Sequence, residues 1–187
     1  MRMFLRQSTV GREPLAIAMS GVRMGERLLQ IGMDTPLVTG SLAAKPGLSG
    51  ESSIAIMDEA TADRARRAVS ETGALANIGT YALNALPFDS GSFDVIVIHN
   101  RSGQSASVLS TQGSGALGEC RRVLRAGGRL VVLERGTRTG LAAIFQPRSS
   151  RGQAETTIKA LEAAGFRAVR VLGDREGYCF VEGLQAR

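Results

Sequence analysis

Short apolar runs alternate with amphipathic helical patterns along almost the whole chain, and this order limits the fold more than any other feature. FDVIVIHN (93–100) is a nearly continuous apolar run, as expected of a strand covered on both faces. Strands of this kind, each followed by a helix, build a largely parallel sheet wrapped by helices. In chain order the pattern predicts a helix over 13–24 with Pro14 near its start, then a buried strand, RLLQIG (27–32). Thr35-Pro36 reads as a cap and first-turn proline opening a helix to about Lys45. The turn-rich PGLSGESS (46–53) follows as a loop.

SIAIMD (53–58) is predicted as the second strand, and TADRARRAVSETG (61–73) as an amphipathic helix. That helix sets Ala62, Ala65 and Val69 on one face and arginines on the other, and Gly73 stands where a left-handed terminating residue belongs. A third strand is expected near 77–81, followed by the turn LPFDSGS and the strand 93–100. Residues 101–118 are rich in Ser and Gly and carry no clear pattern. ECRRVLRAGG (119–128) reads as a helix stopped by Gly127-Gly128, leading into strand RLVVLE (129–134). A helix over 152–164 closes at Gly165, and strands 167–173 and 178–183 are joined by the turn Asp174–Gly177 as a hairpin.

At 187 residues the chain suits one domain, read as an N-terminal helical segment (1–26) leading into a domain over 27–187. Two cysteines, Cys120 and Cys179, make no disulfide framework, and with one histidine they make no zinc cage of the usual kind. Cys120 sits in a helix and Cys179 in a strand, so packing is the simple role for both. No apolar run approaches the roughly 20 residues that span a bilayer. MRMFLRQSTVGREP is basic but too polar after Leu5 for a secretory signal. A cytoplasmic location is expected.

The series RLLQIG, IAIMD, ALNALPFDSGSFDVIVIHN, LGECRRVLRAGGRLVVLE and ALEAAGFRAVRVL resembles class I S-adenosylmethionine-dependent methyltransferases. It looks most like the small-molecule branch that includes the ubiquinone and menaquinone biosynthesis enzymes. The likeness covers about residues 25–183, with its best blocks in LPFDSGSFDVI and RRVLRAGGRLVVLE. It implies an α/β, Rossmann-like fold with a seven-stranded, mostly parallel sheet of order 3-2-1-4-5-7-6, its last strand antiparallel, and helices on both faces. It also implies S-adenosylmethionine as cofactor.

An open α/β sheet binds ligands beyond the carboxyl ends of its strands, where the strand order reverses. The family carries an acid and then Gly-x-Gly-x-Gly at the first turn, so the resemblance assigns Gly32, Met33 and Asp34 to the cofactor. Here Gln30 replaces the acid, Asp34 the second glycine and Pro36 the third, and only Gly32 is kept. Asp34 either meets the cofactor's ammonium group or fills the space where the cofactor would lie. Asp58, at the end of the second strand, either accepts hydrogen bonds from the ribose hydroxyls or caps the next helix, and Glu59 beside it is a second candidate. The family's adenine-side acid falls on Ala82, followed by Leu83, with Asn84 nearby as an amide substitute. His99 and Asn100 end the fourth strand facing the expected reaction zone. Asn100 is assigned to the cofactor, and His99, the single histidine, is either a general base or a polar strand end.

Charge adds a last feature. Lys+Arg 23 against Asp+Glu 17 leaves a net charge of +6. Residues 121–151 hold eight arginines and a single acid, Glu134. Arg135, Arg138, Arg148 and Arg151 are placed to recognise an anionic acceptor, a phosphate or an acidic membrane surface, or else belong to a solvated loop. Few aromatics and no reading helix argue against nucleic acid. The expected function is methyl transfer to a small anionic or hydrophobic acceptor. Two alternatives stay open: a non-catalytic methyltransferase-like scaffold or subunit, and an RNA methyltransferase. The partner expected is the small-molecule acceptor, with peripheral membrane contact, a protein partner or a homo-oligomer also left open.

Overall fold

A computed structural model describes residues 14–101, 114–135, 151–175 and 177–187. The strands are β1 (Arg27–Ile31), β2 (Glu51–Ile56), β3 (Asn77–Thr80), β4 (Phe93–Arg101), β5 (Leu124–Arg135), β6 (Arg167–Arg175) and β7 (Tyr178–Leu184). They form a seven-stranded sheet of order β3-β2-β1-β4-β5-β7-β6. The pairs from β3 to β5 are parallel, and β7 runs antiparallel to both β5 and β6. The implied strand order and the terminal hairpin are both present.

Alternation along the strands divides the core. Leu28, Val95, Val97, Val131, Leu133 and Phe180 pack on one face beneath α1 (Pro14–Met19) and α2 (Pro36–Ala44). Ile54 and Ile56 continue that face beneath α3 (Glu59–Thr72). Leu29, Ile96, Ile98, Leu130, Val132 and Val181 face the other way, toward α4 (Ser114–Val123) and α5 (Arg151–Ala163). Val95, Ile96, Val97 and Ile98 are all fully buried, which is why their segment carries no polar alternation.

Local chemistry fixes the helix ends. Thr35 Oγ1 accepts from the Val38 amide at 3.3 Å and Pro36 opens α2, as expected. Asp58 Oδ1 accepts from the Thr61 amide at 2.8 Å, and Gly73 closes α3 at φ +67°. Ala62, Ala65, Ala68 and Val69 form the buried stripe of α3. Gly40 lets α2 lie against it, because a Cβ there would strike the Ala68 carbonyl oxygen and Thr72 Cγ2.

Several expected boundaries are corrected. The first helix stops at Met19 rather than residue 24. The Ser20 hydroxyl donates to the Ile17 carbonyl at 2.6 Å, and Gly21 turns the chain at φ +66°. The second strand starts at Glu51 and ends at Ile56, so Met57 and Asp58 lie beyond it. The helix expected to reach Gly128 ends at Val123, because Leu124 already pairs with Phe93. Gly127-Gly128 therefore sits in an irregularity of β5, where the register jumps from Phe93↔Leu124 to Val95↔Arg129. There the Gly127 amide donates to the Gln185 carbonyl at 3.2 Å, and the Gln185 amide donates to Gly128 at 2.9 Å.

The blocks LPF and ECRR hold each other. The Leu86 amide donates to Glu119 Oε2 at 2.8 Å, while Arg122 donates to the carbonyls of Phe88 at 2.7 Å and Leu86 at 2.9 Å.

Candidate functional site

The strand order reverses between β1 and β4, and the carboxyl ends of those strands carry buried polar side chains. Gln30 of β1 and His99 of β4 share the face that α1 and α2 cover, and both are almost wholly buried. Gln30 Nε2 donates to the Thr39 carbonyl at 3.2 Å, which turns Gln30 Oε1 toward His99 Nε2 at 2.8 Å. An oxygen there requires a donor, so the imidazole carries its proton on Nε2 and its lone pair on Nδ1. Burial pushes the His99 pKa down to about 4, partly opposed by the charge of Asp34. The ring is therefore neutral at physiological pH.

Asp34 follows the Gly32 turn and is 3% exposed. Its Oδ2 accepts from the Tyr178 hydroxyl at 2.7 Å, and its Oδ1 lies 3.4 Å from an Arg135 nitrogen. The Asp34 amide donates to Thr39 Oγ1 at 3.3 Å. Arg135 also lies over the Tyr178 ring, 5.2 Å from its centroid. The carboxylate that replaces the expected glycine is thus held by β5 and β7 side chains. Neither simple expectation for Asp34 included these partners.

Gly32, Met33, Ile56, Met57, Asp58, Thr61 and His99 line a cleft of about 150 Å³ at the same end of the sheet. Gly32 takes φ +75°, a left-handed turn that a residue with a Cβ enters only with strain. Five expected site residues, Gly32, Met33, Asp58, His99 and the neighbouring Asp34, are therefore gathered here.

Others stand elsewhere. Glu59 points its carboxylate into a surface network with Thr80 Oγ1 and Arg66, both at 2.7 Å. The hydrogen bond from Thr80, then that from Arg66, holds its pKa below the ordinary carboxylate range. Ala82 is exposed just past β3, and Leu83 is packed in the core on the α4 and α5 side. Asn100, 9% exposed, points to that same side next to His99. Arg138 and Arg148 lie outside the described residues, as does the side chain of Arg151.

The arginine-rich stretch is largely structural where it is described. Arg122 pairs with Glu119, Arg125 with Asp94, and Arg129 with Glu26. Arg121 donates to Gln185 Oε1 at 3.2 Å and to the Ala164 carbonyl at 2.8 Å. Among the described residues, these contacts commit Arg121, Arg122, Arg125 and Arg129 inside the fold. Burial pushes the Cys120 thiol up to about 12 and Cys179 up to about 11, which fits packing rather than nucleophilic roles. Among the described residues no group of three His, Cys, Asp or Glu side chains could hold a metal. No helix among them is long and apolar enough to cross a membrane.

Sequence reasoning missed Tyr178, Thr39, and Gln30 as the partner of His99. The available signal was strand alternation: Tyr178 shares its β7 face with Phe180, and Gln30 shares its β1 face with Leu28.

Comparison with known proteins gives a consistent result. A family model described as a methyltransferase domain matches residues 29–132. The ubiquinone/menaquinone biosynthesis C-methyltransferase UbiE of Erwinia tasmaniensis is 30% identical over 159 residues, covering 83% of this chain and 55% of that protein. The protein of the same name from Yersinia enterocolitica is 35% identical over 118 residues, covering 62% of this chain and 45% of its own. The chain spans about half the length of these curated relatives. Among solved structures, a SAM dependent methyltransferase from Aquifex aeolicus superposes with a TM-score of 0.74 at 17% identity, covering 94% of this chain and 90% of that one. A SAM-dependent O-methyltransferase from Thermotoga maritima gives a TM-score of 0.67 at 14% identity, over 92% of this chain and 64% of that one. At such identities the structural likeness concerns the fold.

Proposed function

The chain belongs to the methyltransferase domain family, and from that premise we propose that it transfers a methyl group from S-adenosylmethionine to a small acceptor molecule. The observation that supports this most is the cleft at the switch point, where the positive-φ turn at Gly32 and the carboxylate of Asp58 face a common space. An acid at the head of the helix after β2 suits the two ribose hydroxyls. Asp58 uses one oxygen to cap α3 and has a second to offer. Met33, Ile56 and Met57 give the cleft apolar wall. Glu59, committed to Thr80 and Arg66, drops out of the ribose set in this reading.

When bound, S-adenosylmethionine supplies a methyl group on a sulfonium, and displacement from it depends chiefly on proximity and alignment. His99, with its pKa near 4, is a weak proton acceptor at neutral pH. We therefore give it a positioning role, with its ring fixed by Gln30. Arg135 keeps partial exposure beside Asp34 and is the described residue best suited to an anionic acceptor. The C-methyl transfer named for the UbiE relatives makes a carbon acceptor of that biosynthetic type the first to test.

A specific observation favours a second reading. The cleft of about 150 Å³ is small beside the roughly 300–1,000 Å³ of sites that enclose a whole small molecule. A non-catalytic methyltransferase-like module would have such a site. The RNA reading is weakened by the pairing of Arg122, Arg125 and Arg129 within the fold. Calorimetric titration with S-adenosylmethionine and S-adenosylhomocysteine separates the two main readings. Binding is expected, and the absence of both heat and a thermal shift at millimolar ligand would refute the enzyme reading.

A further inference from the structure

The chain leaving β1 is held from two sides. Met33 is 5% exposed and packs with Ile54, Ile56, Ala62 and Ala65 on the α3 side. Asp34, the next residue, turns the other way. Its partners Arg135 and Tyr178 are registered neighbours at the end of β5 and the start of β7. In the sheet β4 stands between β1 and β5, so the Asp34 side chain reaches past the end of β4 to meet them. The backbone is tied as well, with the Gly32 amide donating to the Ala55 carbonyl at 2.9 Å and the Asp34 amide to Thr39 Oγ1 at 3.3 Å. The cleft ends on the near side of that crossing. Its lining runs from Asp58 and Thr61 to Met33 and His99 and, among the described residues, takes nothing from β5 or β7. A ligand lying across a reversal of strand order passes over the ends of both flanking strands, here β1 and β4, and the Asp34 side chain crosses that line.

We propose that Asp34, Tyr178 and Arg135 form an autoinhibitory latch that holds residues 32–34 across the end of β4 and keeps the cleft short, so that S-adenosylmethionine binds at full length only when Asp34 leaves Tyr178. The identity of the ligand rests on the methyl-transfer reading. The two partners of Asp34 contribute unequally. The Tyr178 hydroxyl gives a 2.7 Å bond to a buried carboxylate, the stronger kind of hydrogen bond. The Arg135 contact is long at 3.4 Å, and that side chain is 31% exposed. Arg135 also lies over the Tyr178 ring, so it keeps a partner when Asp34 moves away. Such a latch sets stability against affinity. Each contact that stabilises the closed chain has to break before the whole ligand fits, and apparent affinity is reduced to the fraction of molecules that are open. Removing a latch contact therefore lowers stability and tightens binding. Loss of a merely structural contact lowers stability without tightening binding.

Calorimetric titration of S-adenosylhomocysteine into the wild type, Tyr178→Phe and Asp34→Ala, each paired with a urea unfolding curve, tests the latch. Tyr178→Phe keeps the ring beneath Arg135 and loses only the hydroxyl. Asp34→Ala removes the carboxylate at a position without positive φ. Both variants are expected to unfold at lower urea and to bind about tenfold more tightly, the effect of one hydrogen bond to a charged group that no longer has to break. Unchanged or weaker binding by the folded variants overturns the latch and leaves the methyl-transfer reading standing where the wild type binds. If the wild type binds nothing and the variants bind, the latch stands and the enzyme reading falls; if none of the three binds, both fall. Should neither variant fold, tyrosine emission decides. Tyr81 and Tyr178 are the two tyrosines and the chain has no Trp, so Tyr81→Phe leaves Tyr178 as the single emitter, quenched by its bond to the Asp34 carboxylate. Saturating S-adenosylhomocysteine should raise that emission, and an unchanged spectrum overturns the latch.

Discussion

Acidification is the sharpest probe of the Gln30–His99 pair, because the chain has one histidine and its resonances need no assignment by mutagenesis. Burial lowers the His99 pKa from an ordinary 6.5 to about 4. The folded state therefore favours the neutral ring, and the unfolded chain binds the proton more readily. By linkage, stability is fully present above pH 6.5, falls as the pH drops through the interval, and levels off below the folded pKa. The gap of about 2.5 pH units, at about 1.4 kcal/mol per unit, sets a total near 3 kcal/mol, most of it lost by pH 4. Gln30 cannot rescue the charged ring, since its amide nitrogen is committed to the Thr39 carbonyl and its single oxygen already accepts from Nε2. His99→Gln keeps a donor for Gln30 and removes the titration. Urea unfolding of both proteins from about pH 7 to pH 4 should show the wild type losing about 3 kcal/mol more than the variant. Carboxylates elsewhere titrate in both and cancel. Parallel pH dependences, or a histidine titrating near 6.5 in the folded-state NMR spectrum, would refute the buried neutral pair.

Three further outcomes follow from single contacts. Tyr178→Phe removes the donor to Asp34 and leaves the buried carboxylate, among the described residues, with the long Arg135 contact; a loss of about 1–3 kcal/mol in chemical unfolding is expected. Gly40→Ala drives a methyl group into the Ala68 carbonyl and Thr72, and should cost about 1–3 kcal/mol with a lowered thermal midpoint. Asp58→Ala removes the α3 cap, worth about 1 kcal/mol, and should also weaken S-adenosylmethionine binding. Lost stability with unchanged affinity would leave Asp58 as a cap alone.

The strand order was legible because two kinds of signal converge on it. Apolar runs mark the strands, and the LPF and ECRR blocks are joined by Glu119 and Arg122 across the turn before β4. Those blocks keep recognisable residue types because each supplies hydrogen bonds that the other's backbone requires. Element ends were less legible where a side chain or a pairing partner decides them. Ser20 stops α1 through its hydroxyl, and Phe93 draws Leu124 out of α4 into β5. The Ser20 contact reaches back only to Ile17, but Phe93 lies far from Leu124 in the chain, so no local pattern announces the end of α4.

The site was legible in part for a related reason. Gly32 and Asp58 act through local turns and caps, which sequence displays directly. Asp34 depends on Tyr178, 144 positions away, and its role changes with that partner. The same alternation that buries the sheet sends His99 toward α2 and Asn100 toward α5, so adjacent residues of one strand enter different polar clusters. On one face burial keeps the imidazole neutral, with its Nε2 fixed on Gln30. A carboxylate at position 30, as the family pattern has it, would stand against His99 and raise the ring's pKa, whereas the Gln30 amide leaves the buried ring neutral.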